Sequence, residues 1–187
     1  MRIISGKLKG RKLEQPLDKN TRPLKDIVKE SIFNLIAHSK LFKLNLQESN
    51  ILDLFSGSGS FGIECLSRNV KHVTFIENYK PAINILKKNI NELDADNNYD
   101  LIEKDIFDEK IYINLNKKYD LIFVDPPYKE KKIEKIFSLI KNFKILKKNG
   151  YIILHRNKKS DNFIQNNFET IDVRSYGISK IIFYKLK

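Results

Sequence analysis

The stretch ILDLFSGSGSFGIE, Ile51 to Glu64, sets an apolar run directly before Gly57, Gly59 and Gly62 in the spacing G-x-G-x-x-G. A buried strand, a glycine turn and then the helical pattern FGIECLS make the strand-turn-helix unit of a doubly wound α/β sheet. The spacing is that of a dinucleotide fingerprint. The glycines alone fix only a tight turn that lets backbone approach a ligand, so they fit a pyrophosphate and a phosphate-free nucleotide equally well.

Downstream, strands and helices alternate. HVTFIE reads as a second strand ending in Glu77, KPAINILKKNINELDA as a helix, YDLIEKD as a third strand closed by Asp105, and YDLIFVD as a fourth, cut off by Pro126 and Pro127. The helix KKIEKIFSLIKNFKIL, the strand YIILHR, a short helix near Asp161 and two final strands, FETIDVRSY and SKIIFYKLK, follow. This pattern predicts a mostly parallel sheet covered on both faces, with an antiparallel member among the last strands because no crossover helix separates them. Upstream, RIISGKLKGRKLEQP is punctuated by Gly6 and Gly10 as a small hairpin is, and is too short to fold without docking. TRPLKDIVKESIFNLIAHS predicts an amphipathic helix, with Pro23 in its first turn, an apolar stripe of Leu24, Ile27, Val28, Ile32, Leu35 and Ile36, and a polar face carrying Lys25 and Lys29. Residues 1–48 are therefore expected to form an extension and residues 49–187 the main domain.

The chain has 187 residues, enough for one domain with a substantial core and a small addition. One cysteine, Cys65, excludes an intramolecular disulfide, and three scattered histidines make no metal-ligand pattern. No run approaches the roughly 18 apolar residues of a membrane span, and the N-terminus lacks an apolar signal core. A cytoplasmic, metal-free monomer is expected. A net charge of +12 suggests an acidic partner, although the abundance of Lys, Asn and Ile also fits A/T-rich coding. Arginine, whose rigid fork suits phosphate, is more telling: Arg2, Arg11 and Arg22, three of the six, lie in the first 22 residues. Together with Lys7, Lys9, Lys12 and Lys25 they mark the extension as a nucleic-acid face.

Asp53, at the end of the first strand, Glu77 and Asp105 would all stand beyond carboxyl ends of strands, where open α/β sheets hold ligands. Glu77 is placed to accept a ribose diol. The fourth strand carries the more specific signal, Asp125-Pro126-Pro127-Tyr128. An exocyclic amine is a poor nucleophile because its lone pair is delocalised into the ring. Two acceptors on its hydrogens, the Asp125 carboxylate and the Pro126 carbonyl, would localise that pair. The proline pair holds both oxygens outside the ladder, and Tyr128 offers a face for an extruded base. A nicotinamide-dependent oxidoreductase would account for the glycines and Glu77 but not for this tetrapeptide.

GSGSFGIE, FIE, KD and VDPPY, in this order, resemble a class I S-adenosylmethionine-dependent methyltransferase acting on an exocyclic amine. RIISGKLKGRKL, TRPLKDIVKESIFN, DLFSGSGSFGIECLSR and YGISKIIFY are similar to the bacterial 16S rRNA guanine-N2 methyltransferase family, RsmD, over essentially the whole chain. The resemblance implies a Rossmann-like, seven-stranded sheet with a small N-terminal hairpin and helix. It implies S-adenosylmethionine held by Asp53, Phe55, Ser56, Gly57, Gly59, Glu77, Asp105 and Ile106, and catalysis at Asp125 to Tyr128. It also implies a guanine of the position-966 type in 16S rRNA, within a small-subunit particle, as substrate. The chain departs from the family in Leu24, where threonine is usual, in Ile27 and Lys29, where arginines are common, and in Ser5, where a second glycine is usual. Adenine N6 in DNA is an alternative substrate, because the tetrapeptide identifies an amine rather than a base. A non-catalytic ribosome-binding platform on the same fold is the alternative outside enzymology.

Overall fold

The computed structural model describes residues 1–16, 24–92, 98–160 and 167–187. Its centre is a seven-stranded sheet in the order β3-β2-β1-β4-β5-β7-β6. The strands are β1 Asn50–Leu54, β2 His72–Ile76, β3 Tyr99–Ile102, β4 Tyr119–Val124, β5 Leu146–Asn157, β6 Phe168–Tyr176 and β7 Ser179–Leu186. β1 pairs in parallel with β2 on one side and β4 on the other, and β7 alone runs antiparallel, between β5 and β6. The expected mostly parallel sheet with an antiparallel end is therefore present. Strand order reverses between β1 and β4, which opens a crevice above their carboxyl ends.

The helices are α1 Asp26–His38, α2 Ser60–Ser67, α3 Lys80–Glu92, α4 Glu109–Ile113 and α5 Ile133–Asn142. Alternation along the buried strands divides the core into two layers. On one face Ile51, Val73, Phe75, Leu121 and Phe123 pack with α1, α2 and α3. There Phe61 stacks between Phe33 and Phe123, with centroids 5.2 and 4.0 Å away. On the other face Leu52, Leu54, Ile122 and Val124 pack with α4 and α5, and Phe137 meets Phe168 and Tyr184 edge-on.

Several boundaries differ from the sequence expectations. α4 was not predicted; it is one turn, capped by the Asp108 carboxylate on Lys110 N–H, and too short to show a period. α1 starts at Asp26, and Pro23 lies outside the described residues, as does the helix expected near Asp161. β3 ends at Ile102, so Asp105 stands in the turn beyond it rather than closing it. The helix expected to reach Leu146 ends at Asn142, because Lys144 takes φ 50° and turns the chain into β5.

The N-terminal segment makes the expected hairpin, joined by an Arg2–Lys12 bridge and by Ile3 N–H to Arg11 C=O at 2.9 Å. It docks on α2. Ile4 and Ser5 N–H donate to the Glu64 carboxylate at 2.7 and 3.0 Å, and Lys7 N–H donates to Ser67 C=O. Ile3, Leu8 and Leu13 thereby join the same core layer as α1 and α2.

This docking overturns the expected faces of α1. Lys29, placed on the polar face by periodicity, is fully buried, with Nζ 3.4 Å from Glu64 and donating to Arg2 C=O at 2.8 Å. Ile27, expected in the apolar stripe, is 65% exposed. The helix is covered on two sides, by the sheet layer and by the hairpin, and a single-stripe reading sees only one. Lys29 is therefore not available to phosphate. Burial pushes its ammonium pKa down, against the pull of Glu64 and Asp26.

Candidate active site

The loop after β1 is built to stay close to whatever lies over it. Phe55 is held at φ 60°, a left-handed conformation that a bulky residue adopts only when its surroundings impose it. Ser56 Oγ donates to Asp53 C=O at 2.6 Å and accepts Ile76 N–H at 3.0 Å, so its hydroxyl clips the loop to β2. Gly59 has φ +85°, and a side chain there would strike Leu86 at 2.3 Å; a side chain on Gly57 would enter open space. Asn89 of α3 donates to Ser58 C=O at 2.9 Å and braces the loop from behind.

Two carboxylates hold this loop. Asp53 Oδ2 accepts Gly62 N–H at 3.0 Å from a fully buried position. Glu77 Oε2 accepts Gly57 N–H at 2.8 Å, while its Oε1 accepts Asn78 and Tyr79 N–H, both at 2.9 Å. Glu77 thus orients the glycine loop in addition to standing at the strand end. Burial pushes the Asp53 pKa well above the usual carboxylate range; the Gly62 hydrogen bond opposes this, and the nearby charges of Asp125 and Glu77 add to it.

The linkage sign follows from the raised pKa. Ionising Asp53 is harder in the folded than in the unfolded chain, so its contribution to stability is full below the ordinary carboxylate pKa and is lost as pH rises toward the folded value. Asp53→Asn keeps an acceptor for Gly62 N–H and removes this loss. Thermal unfolding between pH 3 and 7 should show the variant more stable than the wild type at neutral pH, with the difference vanishing at the acid end. A difference that does not depend on pH would refute this role of Asp53.

Across the switch point, Asp125 follows β4 with its N–H on Leu54 C=O at 3.3 Å. Asp125 and Tyr128 are partly exposed, Pro126 is buried and Pro127 is exposed. Two residues that sequence reasoning did not assign hold this segment, both from β5. His155 Nδ1 lies 2.7 Å from Asp125 Oδ1, and the Arg156 guanidinium donates to the carbonyls of Pro127 at 3.3 Å and Glu130 at 2.9 Å. Only the sheet order could have revealed them, since β5 lies beside β4 in space but is separated from it by α5.

Asp105 is exposed in the turn after β3, while Ile106 is buried, its C=O accepting the Tyr112 hydroxyl at 2.8 Å. Phe107, also unassigned from sequence, meets Phe55 edge-on at 6.4 Å and carries Lys132 Nζ 5.4 Å from its ring centre. The predicted cofactor and catalytic residues thus share one end of the sheet. The basic residues Arg2, Lys7, Lys9, Arg11, Lys12 and Lys25 are exposed, and Arg22 lies outside the described residues. The hairpin tip with Lys7 rests at Ser67, the far end of α2 from the glycine loop; eight residues separate them by about 12 Å.

A seven-stranded sheet whose glycine loop lies at this switch point, opposite an Asp-Pro-Pro-Tyr corner, has the architecture of a class: the Rossmann-like class I S-adenosylmethionine-dependent methyltransferases. The residues present fit that cofactor. Gly57 leaves open space, and the Ser60 hydroxyl, buried at the start of α2, has no partner among the described residues. The chain belongs to the family described as Conserved hypothetical protein 95, whose model matches residues 1–185, the RsmD family. It is 37% identical over 166 residues to Ribosomal RNA small subunit methyltransferase D of Buchnera aphidicola subsp. Acyrthosiphon pisum, covering 89% of this chain and 83% of that one. It is 32% identical to the Haemophilus influenzae protein of the same name, covering 99% and 93%. A solved structure from Escherichia coli, described as methyltransferase yhhF, superposes with a TM-score of 0.82 at 26% identity, over 100% of this chain and 98% of that one. No helix among the described residues is long and apolar enough to cross a membrane.

Proposed function

We propose that this protein methylates the exocyclic N2 amine of a guanine in 16S rRNA, of the position-966 type, within a small ribosomal subunit particle. The observation that carries the reading is the Asp125 carboxylate, fixed at the switch point across from the glycine loop. The names of the relatives support rRNA as the substrate class. S-adenosylmethionine, when bound, supplies an electrophilic methyl group on a sulfonium. Asp53, Phe55, Ser56, Gly57, Gly59 and Glu77 would hold it, with Asp105 and Ile106 at its nucleoside end. Ser60 at the helix start joins this set.

The protein's own work is positioning and electrostatics. Asp125 and the Pro126 carbonyl accept the two hydrogens of the amine and draw its lone pair out of the ring. Tyr128 stacks the extruded base. The Asp125 charge would stabilise the positive charge that builds on nitrogen as the N–CH3 bond forms and the sulfonium S–CH3 bond breaks, its electron pair staying on sulfur as a neutral thioether; the Asp125 carboxylate would then take the proton that the nitrogen sheds. No strong base is needed, since that proton becomes acidic only after transfer. Residues 49–187 form the catalytic part, and the exposed cations of residues 1–48 meet the rRNA backbone, at a distance from the reacting base set by the length of α2.

Small subunits from cells lacking this gene, and duplex DNA, should each be incubated with the protein and labelled S-adenosylmethionine, then digested and analysed by mass spectrometry. N2-methylguanosine from the subunits is the expected product. N6-methyladenine from DNA would replace this reading with the DNA one, and no label in either would point to a non-catalytic platform.

A further inference from the structure

We propose that His155 is a positioning residue for methyl transfer: its Nδ1–H donates to Asp125 Oδ1 and fixes the plane in which the carboxylate meets the acceptor amine. The inference rests on the functional reading above and deepens it. Its geometric basis is specific. Asp125 lies in the segment that leaves β4, where a carboxylate has rotational freedom that catalysis cannot tolerate. His155 sits in the twelve-residue strand β5, paired in parallel with β4 on one side and in antiparallel with β7 on the other, where it stands opposite Ile181. The last β4–β5 pair is Val124 with Leu154, so the next residue of each chain, Asp125 and His155, emerge side by side. The ring is 1% exposed, and Tyr128 approaches it at 72° with centroids 6.3 Å apart. A rigid strand thus aims a buried donor at a carboxylate carried on a loop.

The direction of this hydrogen bond matters for chemistry. A donor on Oδ1 leaves Oδ2 to accept a hydrogen of the amine. Arg156, the next residue, grips the main chain of the same corner through the carbonyls of Pro127 and Glu130, so two consecutive residues hold its side chain and its backbone. Neither residue touches the substrate in this scheme, and His155 acts through Asp125.

An asparagine amide reproduces the position of Nδ1, and a glutamine amide that of Nε2. His155→Asn should therefore keep kcat within about fivefold of the wild type, while His155→Gln loses about 10- to 100-fold, the scale of a misplaced catalytic group. Both should leave the KM for small subunits and the Kd for S-adenosylmethionine within about twofold, as expected of a group felt only at the reacting centre. The assay uses the full chain, labelled S-adenosylmethionine and small subunits from cells lacking the gene, with melting temperatures measured alongside. Equal kcat for the two variants, or losses that follow melting temperature alone, would overturn the assignment. An inactive wild type would overturn the functional reading, and with it a positioning role that has no reaction to serve; an active wild type with an unaffected His155→Gln overturns the inference alone.

Discussion

Turnover of Asp125→Ala should fall by at least about 10²-fold, the scale of losing one preorganised group at a charge-developing atom, with little change in affinity for S-adenosylmethionine. The carboxylate is assigned to the amine and not to the cofactor, so kcat and kcat/KM should fall together. Alanine also removes the described partner of buried His155 Nδ1, a loss on the order of 1–3 kcal/mol. Asp125→Asn separates the two effects. Its amide oxygen can accept from His155 and preserve the fold, while its NH2 turns hydrogens toward an amine that already presents hydrogens. The asparagine variant should unfold like the wild type and still be slow. Methylation of small subunits at the wild-type rate by either variant would remove Asp125 from the mechanism.

The second large effect is on stability. Glu64, buried to 0% exposure, receives Lys29 at 3.4 Å, Arg68 through Nε at 3.0 Å and a terminal nitrogen at 2.9 Å, and the amides of Ile4 and Ser5. Glu64→Ala leaves a buried ammonium with Arg2 C=O as its one described hydrogen-bond partner and frees two of the hairpin's anchoring amides. Breaking a buried pair from one side costs about 3–5 kcal/mol. For a chain of this size that is a fall in Tm of roughly 6–20 °C. Lys29→Met combined with Glu64→Met should recover part of the loss, since an apolar pair of similar volume needs no desolvation. Arg68 would keep its stacking on Phe33, 4.2 Å from the ring centre. A Glu64→Ala protein that melts with the wild type would show that the hairpin is not held by this carboxylate.

The places where sequence reading failed share a cause. Lys29 looked solvated because a helical period assigns one buried stripe, and the hairpin that buries the second side, from Arg2 to Leu13, comes from well before the helix in the chain. His155 looked like an ordinary histidine because its partner lies on a neighbouring strand reached only through α5. α4 and Phe107 escaped because a single turn carries no period, although Asp108 followed by Glu109 was a usable capping signal. Ser56 and Glu77, proposed for the cofactor site, also hydrogen-bond β2 and the glycine loop, contacts that belong to the scaffold.

Local periodicity, glycine spacing and the proline-terminated fourth strand were sufficient, by themselves, to determine a mostly parallel sheet with a nucleotide crevice at one end, because those features depend on neighbours along the chain. Only the tertiary structure decided the burial of Asp53, the second buried side of α1 and the histidine behind Asp125. Each of these is a sum over groups far apart in sequence, and electrostatics and burial are set by distance in space.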